Sequence, residues 1–190
     1  MLACCRRNLV GVPHTRFKHL PSAAITYRIQ GGYTSTRIAT DTFKKQLFDL
    51  CEETFDRVQG IYLDRGTSLF ETLETISAEE ASRPVSAKCA SIAAQVRHVR
   101  YYLQVLLEGS LQKKPIGRPD WQASWHLASA TPDEWEALKK QLRETQQTVL
   151  AAMKDLDVWD GEDDIGASLA TLAHTAFHLG QIRQALCVVK

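Results

Sequence analysis

The feature that most constrains this chain is an uncharged stretch close to its C-terminus. Between residues 165 and 182 there is no Asp, Glu, Lys or Arg. Apolar residues recur there every three or four positions, which is typical of one face of an α-helix: Ile165, Leu169, Leu172, Ala176 and Leu179. Because a helix without a charged side is normally covered on all sides, we expect the rest of the protein to enclose this one.

Two histidines lie on the opposite face of the same predicted helix. His174 and His178 are four residues apart, and Gln181 follows three residues later. Residues at this spacing are neighbours on a helix, so the three side chains form one polar stripe. A divalent metal ion is a partner that suits two neutral imidazoles at this spacing. Hydrogen-bonded core or surface histidines are the alternative, and a metal site also needs a third ligand.

Composition excludes several classes of protein. A chain of 190 residues suits one domain, and a net charge of +1 gives no indication of nucleic-acid binding. No apolar run is long enough to span a bilayer, so we expect no membrane partner. The five cysteines are odd in number and include no CxxC pair, which favours a reduced, cytoplasmic protein. Cys51 and Cys187 fall in apolar helical patterns and are expected in the core.

The first 40 residues differ from the remainder. They contain six basic residues and no acidic one, and they show no sustained hydrophobic period. This composition resembles a transit peptide; a disordered tail and a start codon assigned too far upstream are the alternatives. We predict that residues 1–40 form a basic, disordered leader and that residues 41–190 form one domain.

Hydrophobic periodicity predicts four long helices. They cover residues 41–63, residues 91–108, residues 132–156 and a last segment that Asp163 or Asp164 would cap. The third helix has a capping box at Thr131 and Glu134, and Gly109 is predicted to end the second helix. The connection between the third and fourth helices is short, so these two are expected to be antiparallel neighbours. The sequence therefore predicts an all-α four-helix bundle in up-down-down-up order, with a long crossover between helices two and three.

The crossover, residues 109–130, is unusually long for a compact domain. It contains Trp121 and Trp125 among prolines and glycines. One interpretation is that it only carries the chain across the bundle; the other is that it covers a pocket, with the two tryptophans as apolar cover. The two interpretations are compatible.

A third histidine lies on the second predicted helix. His98 is off the charged face, beside Tyr101 and Tyr102 in helical projection. Taken singly, it is more often a core histidine than a ligand. If the second helix packs beside the fourth, however, His98 can face His174 and His178. Three neutral imidazoles would then form an open metal site.

These residues together resemble the DinB/YfiT-like superfamily of bacterial four-helix-bundle metalloproteins. The resemblance covers residues 41–186, not the leader, and depends on residues 91–98, the loop residues Asp120, Trp121, Ser124 and Trp125, residues 131–135 and residues 173–183. It implies that His98, His174 and His178 bind a zinc-, nickel- or iron-type divalent ion, often in a homodimer. Gln181 would then position water or support a ligand, or it would simply join two helices by a hydrogen bond.

The resemblance also bounds the function. Similar proteins include thiol-cofactor-dependent transferases and isomerases, metal-dependent hydrolases and many proteins without a known activity. It implies a metal-dependent enzyme that activates a low-molecular-weight thiol, as in S-transfer to a small-molecule substrate. The alternatives are a non-catalytic dimeric metal-binding bundle with a stress or damage-response role, and a hydrolase. Tyr101, Trp125, Gln181 and Arg183 are candidates to contact ligands or substrate, Arg183 through a substrate carboxylate.

Overall fold

The described part of the protein is helical. The computed structural model describes residues 38–190 apart from residues 128 and 160, and no strand occurs among them. Its α-helices are α1 (Thr40–Phe55), α2 (Leu69–Glu74), α3 (Ala78–Ser82), α4 (Ile92–Leu106), α5 (Pro132–Lys154) and α6 (Ala167–Val189). The all-α prediction is therefore confirmed. Residues 1–37 of the predicted leader lie outside the described residues.

Helix α1 is shorter than predicted because the buried carboxylate of Glu53 binds the backbone of the residues that follow the helix. Glu53 has no exposed surface. Its carboxylate accepts hydrogen bonds of 2.6–3.1 Å from four backbone N–H groups, those of Gln59, Ile61, Tyr62 and Leu63. Gly60 has a φ of +84°, a conformation that glycine adopts without strain. Burial opposes ionisation of Glu53, but the four donors together lower the pKa of its carboxyl to about 2.

The capping box that the sequence predicts at Thr131 and Glu134 is confirmed, and the structure has another at the start of α3. Ser77 and Glu80 form a capping box at the start of α3, and Thr131 and Glu134 form another at the start of α5. The indole of Trp135, one residue past the second box, is almost fully buried and donates a 2.8 Å hydrogen bond to the Ile76 carbonyl. This bond anchors the start of α5 to the connector between α2 and α3.

Gly109 does not end the second long helix, as the sequence had predicted. The chain continues from α4 into a wide π turn, Leu107–Leu111, which contains Gly109. A Cβ at this position would lie 2.6 Å from Ile116 Cδ1, so a larger residue would require the Ile116 side chain to move. The missing side chain of Gly109 thus lets the crossover approach the end of α4.

Helix α4 makes the central contacts of the fold. It packs closely against both α5 and α6, and α6 packs against α1. The expected proximity of the second and fourth predicted helices, here α4 and α6, is therefore confirmed. The expectation that the third and fourth predicted helices, here α5 and α6, are close neighbours is wrong: α5 packs mainly against α4, and α6 packs against α4 and α1. None of the helices in the described part of the chain has the length and apolarity that crossing a membrane requires.

Helix α6 buries a partly polar stripe and leaves another side exposed. Its buried stripe includes four polar side chains, those of Ser168, Thr171, Thr175 and His178. Two residues outside that stripe, Leu169 and Phe177, are 44% and 61% exposed. The prediction that this helix is covered on all sides is wrong within the described residues, because the side that carries Leu169 and Phe177 has no cover among them.

Two further expectations about α6 are also wrong. Neither Asp163 nor Asp164 caps it through a side chain; α6 continues from a second π turn, Glu162–Gly166. Cys187 is exposed near its end, whereas Cys51 is fully buried in α1 as predicted. Burial raises the pKa of the Cys51 thiol to about 12, which makes it an inert core residue.

Candidate metal centre

The packing of α4 against α6 brings three histidines together. His98 comes from the middle of α4, and His174 and His178 come from successive turns of α6. One ring nitrogen from each lies within 4.8 Å of the other two. The ring centroids are 5.2 Å apart for His98 and His174, 5.1 Å for His98 and His178, and 4.5 Å for His174 and His178. We call these three residues the His triad.

Two of the three rings are held by hydrogen bonds through Nδ1. His98 Nδ1 lies 2.7 Å from Ser124 Oγ, and His178 Nδ1 lies 3.5 Å from Gln95 Oε1. The third ring differs, because His174 Nε2 is buried without any hydrogen-bond partner. An unpaired buried polar atom is destabilising. His174 therefore has a buried ring nitrogen, Nε2, to which no described residue offers a hydrogen bond.

Burial keeps the His triad neutral at physiological pH. Burial, with a smaller contribution from the neighbouring His178, lowers the pKa of His98 to about 4. Burial, with contributions from the other two histidines, lowers the pKa of His174 to about 3. Burial also lowers the pKa of His178 to about 4, although a hydrogen bond that His178 donates to the Gln181 side chain acts in the opposite direction. Neutral imidazole is the form that binds metals.

Aromatic side chains surround the triad. Trp125 stacks on His98 with a centroid distance of 3.9 Å, and Tyr102 stacks on His174 at 3.6 Å. Trp121 approaches His98 edge-on at 6.4 Å. The interpretation that the crossover covers a pocket is therefore supported by its two tryptophans, both of which contact a histidine of α4. The ring and hydrogen-bond partners of the triad are all uncharged.

A cavity of about 340 Å³ begins one helical turn from His98. Tyr101 and Val105 of α4 form one wall, and Ile116 and Arg118 of the crossover form another. Trp121 contacts residues of both regions, since its ring centroid lies 5.6 Å from that of Tyr101 and 6.4 Å from that of His98. The volume is within the range of small-molecule pockets.

Of the other predicted site residues, some lie near the triad and one does not. Trp125 and Tyr101 lie at the triad and at the cavity, as described above, and Gln181 lies beside His178. Arg183 instead donates a 3.2 Å hydrogen bond to Thr72 Oγ1 on α2. Its proposed contact with a substrate carboxylate stays a prediction.

Three residues of the site had no role assigned from the sequence: Gln95, Tyr102 and Ser124. Gln95 and Tyr102 are three residues before and four after His98, so helical spacing alone places them on its face. Ser124 offers no comparable local pattern, because only the folding of the crossover brings it to α4.

These contacts define an all-helical protein in which two packed helices and a crossover loop enclose a three-histidine candidate metal centre. A protein-family model described as the DinB superfamily matches residues 62–182, and the chain belongs to that superfamily. The resemblance drawn from the sequence is thus confirmed. No curated protein and no solved structure matches the chain.

Proposed function

We propose that the His triad binds a divalent metal ion of the zinc, nickel or iron type, with His98, His174 and His178 as its ligands. The observation that carries this proposal is the buried, unpartnered Nε2 of His174, which lies in a cluster of three neutral imidazoles. A bound cation would satisfy that nitrogen, and three protein ligands would leave a coordination position open. Zinc–nitrogen bonds are about 2.0–2.1 Å long, so the three nitrogens, which lie within 4.8 Å of one another, would move closer together on binding.

The uncharged surroundings favour a thiol over water as the group to be activated. A divalent ion in an open site lowers the pKa of a thiol or water that reaches it. A free thiol has a pKa of about 8.5, whereas that of water is about 15.7, so a thiol needs much less assistance. No carboxylate contacts the triad among the described residues to act as a base for water. The proposed function is therefore that of a metal-dependent enzyme that activates a low-molecular-weight thiol for S-transfer.

The residues around the triad would bind and orient the reactants. Tyr102, Trp121 and Trp125 exclude water from one side and offer apolar contact to an electrophilic substrate. The cavity beside Tyr101 gives room for a small molecule. Gln181, next to His178, is available to orient a polar group of the thiol. Its other possible role, a hydrogen bond that only supports His178, requires no substrate.

The test begins with metal content. Protein purified without added metal and without a polyhistidine tag should contain close to one divalent ion per chain, and His174→Ala should contain almost none. His126→Ala is the matched control, because His126 is exposed and outside the triad. The metal-loaded protein is then incubated with a panel of thiols and an electrophile. Thiol-dependent turnover that His174→Ala abolishes supports the transferase; turnover of esters or amides without a thiol would indicate the hydrolase instead.

A second candidate function is a non-catalytic dimeric metal-binding bundle with a stress or damage-response role, and the exposed face of α6 supports its dimer. Leu169, Phe177 and Val188 are 44%, 61% and 59% exposed on a helix that has no charge between residues 165 and 182. We propose that a second copy of the chain covers this face, since a two-fold axis pairs such a stripe with itself. Light scattering should show a dimer that Phe177→Glu dissociates. The control Val158→Glu, at another exposed apolar residue, should leave it intact.

The order of the helices and the cellular location also belong to this proposal. The up-down-down-up order of the four long helices agrees with the packing of α4 against both α5 and α6. A cytoplasmic location stays a proposal: Cys51 and Cys187 are free thiols, but Cys89 is disulfide-bonded, so the expectation of a fully reduced chain is wrong. Absence of turnover above the His174→Ala background, in a dimer that binds metal, would favour the non-catalytic function over the enzyme.

A further inference from the structure

We propose that residues 120–125 of the crossover act as a positioning device for His98. They hold its ring as the Nδ1–H tautomer, so that the lone pair of Nε2 is directed at the position shared with His174 and His178. The role in metal affinity rests on the metal site proposed above, whereas the tautomer itself does not. The device would explain why a loop that contributes no ligand has a defined structure at the centre of the site.

The tautomer follows from the single proton of a serine hydroxyl. Ser124 is 97% buried and donates its hydroxyl proton to the Trp121 carbonyl at 2.6 Å. A hydroxyl has only one proton to donate but can accept as well. The 2.7 Å contact between Ser124 Oγ and His98 Nδ1 must therefore have the imidazole as donor. With the proton on Nδ1, neutral His98 has its lone pair on Nε2.

The serine is itself fixed by its neighbours in the loop. Asp120 Oδ1 accepts a 2.9 Å hydrogen bond from the Ala123 backbone N–H, which closes the turn in which Ser124 lies. The Asp120 N–H donates a 3.0 Å bond to Tyr101 Oη, and this bond ties the loop to α4 one turn from His98. Trp125 then stacks on the His98 ring at an interplanar angle of 17°. Residues 120–125 thus determine both the hydrogen-bond acceptor of His98 Nδ1 and the orientation of the His98 ring plane.

The same logic extends to the second ligand helix. Gln95, on α4, places its Oε1 3.5 Å from His178 Nδ1. Because an amide oxygen accepts only, this long contact favours a proton on Nδ1 of His178 and a lone pair on Nε2. Free histidine prefers the opposite tautomer, with the proton on Nε2, and that proton would point at the shared position. Groups that orient metal-binding histidines in this way typically contribute about 10–100-fold to metal affinity.

Nitrogen NMR of the metal-free wild-type protein tests the tautomer directly. Long-range proton–nitrogen spectra of ¹⁵N-histidine-labelled protein at pH 7.5 distinguish a protonated from an unprotonated ring nitrogen, and His98→Asn identifies the His98 resonances. We expect Nδ1 of His98 to be protonated and Nε2 to be unprotonated. Since this measurement needs no bound metal, it separates the inference from the proposed function.

Variants of Ser124 test the consequence for the metal site. Ser124→Ala should shift His98 toward the Nε2–H tautomer and weaken zinc binding in competition with a chelator by about 10–100-fold. Ser124→Thr keeps the hydroxyl and should restore both properties to near the wild-type values. Ser129→Ala is the matched control, because Ser129 is an exposed serine of the same crossover. Circular dichroism checks that each variant is folded.

The outcomes are distinct. An Nδ1–H tautomer in the wild type that is lost in Ser124→Ala supports the positioning role, even if the protein proves to bind no metal. An Nε2–H tautomer of His98 in the wild type overturns the inference, even if zinc binds. A Ser124→Ala variant that keeps both the wild-type tautomer and the wild-type affinity overturns it as well.

Discussion

Replacing His174 with phenylalanine should stabilise the metal-free protein while abolishing its metal binding. His174 Nε2 is buried without a partner, and its ring stacks on Tyr102 at 3.6 Å with an interplanar angle of 12°. Phenylalanine keeps a flat ring for this stack and removes the unpaired nitrogen. An unsatisfied buried polar atom costs about 1–3 kcal/mol. The larger phenyl ring would crowd its neighbours, and the cost of this overpacking offsets part of the gain. We expect a net stabilisation of about 1–2 kcal/mol.

The predicted shift is measurable by thermal unfolding. In domains of about 150–250 residues, 1 kcal/mol changes Tm by about 2–4 °C, so the apo variant should melt about 2–8 °C above the apo wild type. In the presence of zinc the order should reverse. Binding at 100-fold excess over Kd adds about 2.7 kcal/mol to the wild type and nothing to a variant that cannot bind.

Melting curves with a chelator and with excess zinc, both at pH 7.5 so that the triad stays neutral, provide the assay. The control is His126→Phe; His126 is exposed, so the substitution should change stability by no more than about 0.5 kcal/mol and leave the zinc response intact. The reasoning is refuted if apo His174→Phe melts below the apo wild type, since the nitrogen would then have a partner that stabilises the fold. Equal stabilisation of both proteins by zinc would refute the assignment of His174 as a ligand.

Three further predictions concern stability. Burial lowers the pKa values of the triad from 6.5 to about 3–4, so below pH 6.5 the unfolded chain binds more protons than the folded one. Chemical denaturation should therefore show that the apo protein loses stability as the pH falls from 6.5 toward 4. The pKa of Glu53 is lowered from 4.5 to about 2, so its contribution is present above pH 4.5 and is lost toward pH 2; Glu53→Gln should show a smaller loss of Tm over that interval. Trp135→Phe removes the bond to the Ile76 carbonyl and should cost about 1–3 kcal/mol by urea titration, with zinc affinity unchanged.

Much of the local structure could be predicted because the responsible interactions lie within a few residues. The start of α5 is an example: a threonine, a proline and a glutamate at positions 131, 132 and 134 satisfy the free N–H groups of one helical turn. The end of α1 could not be predicted in this way. Its periodic pattern continues to residue 61, and the carboxylate of Glu53 nevertheless binds the backbone of residues 59–63. Whether a glutamate is buried or solvated depends on the surrounding packing.

In the candidate site, too, some features follow from local spacing and others depend on the tertiary structure. The sequence by itself determined which imidazoles are available and that His174 and His178 share one face, because helical geometry fixes the neighbours of every residue on a helix. Only the tertiary structure decided that this face, and not the apolar stripe through Leu169, packs toward α4. Only the tertiary structure brought Ser124 of the crossover to His98. The rotation of a helix and the path of a long loop depend on the whole set of packing contacts and not on local spacing, since many loop conformations satisfy the same local preferences.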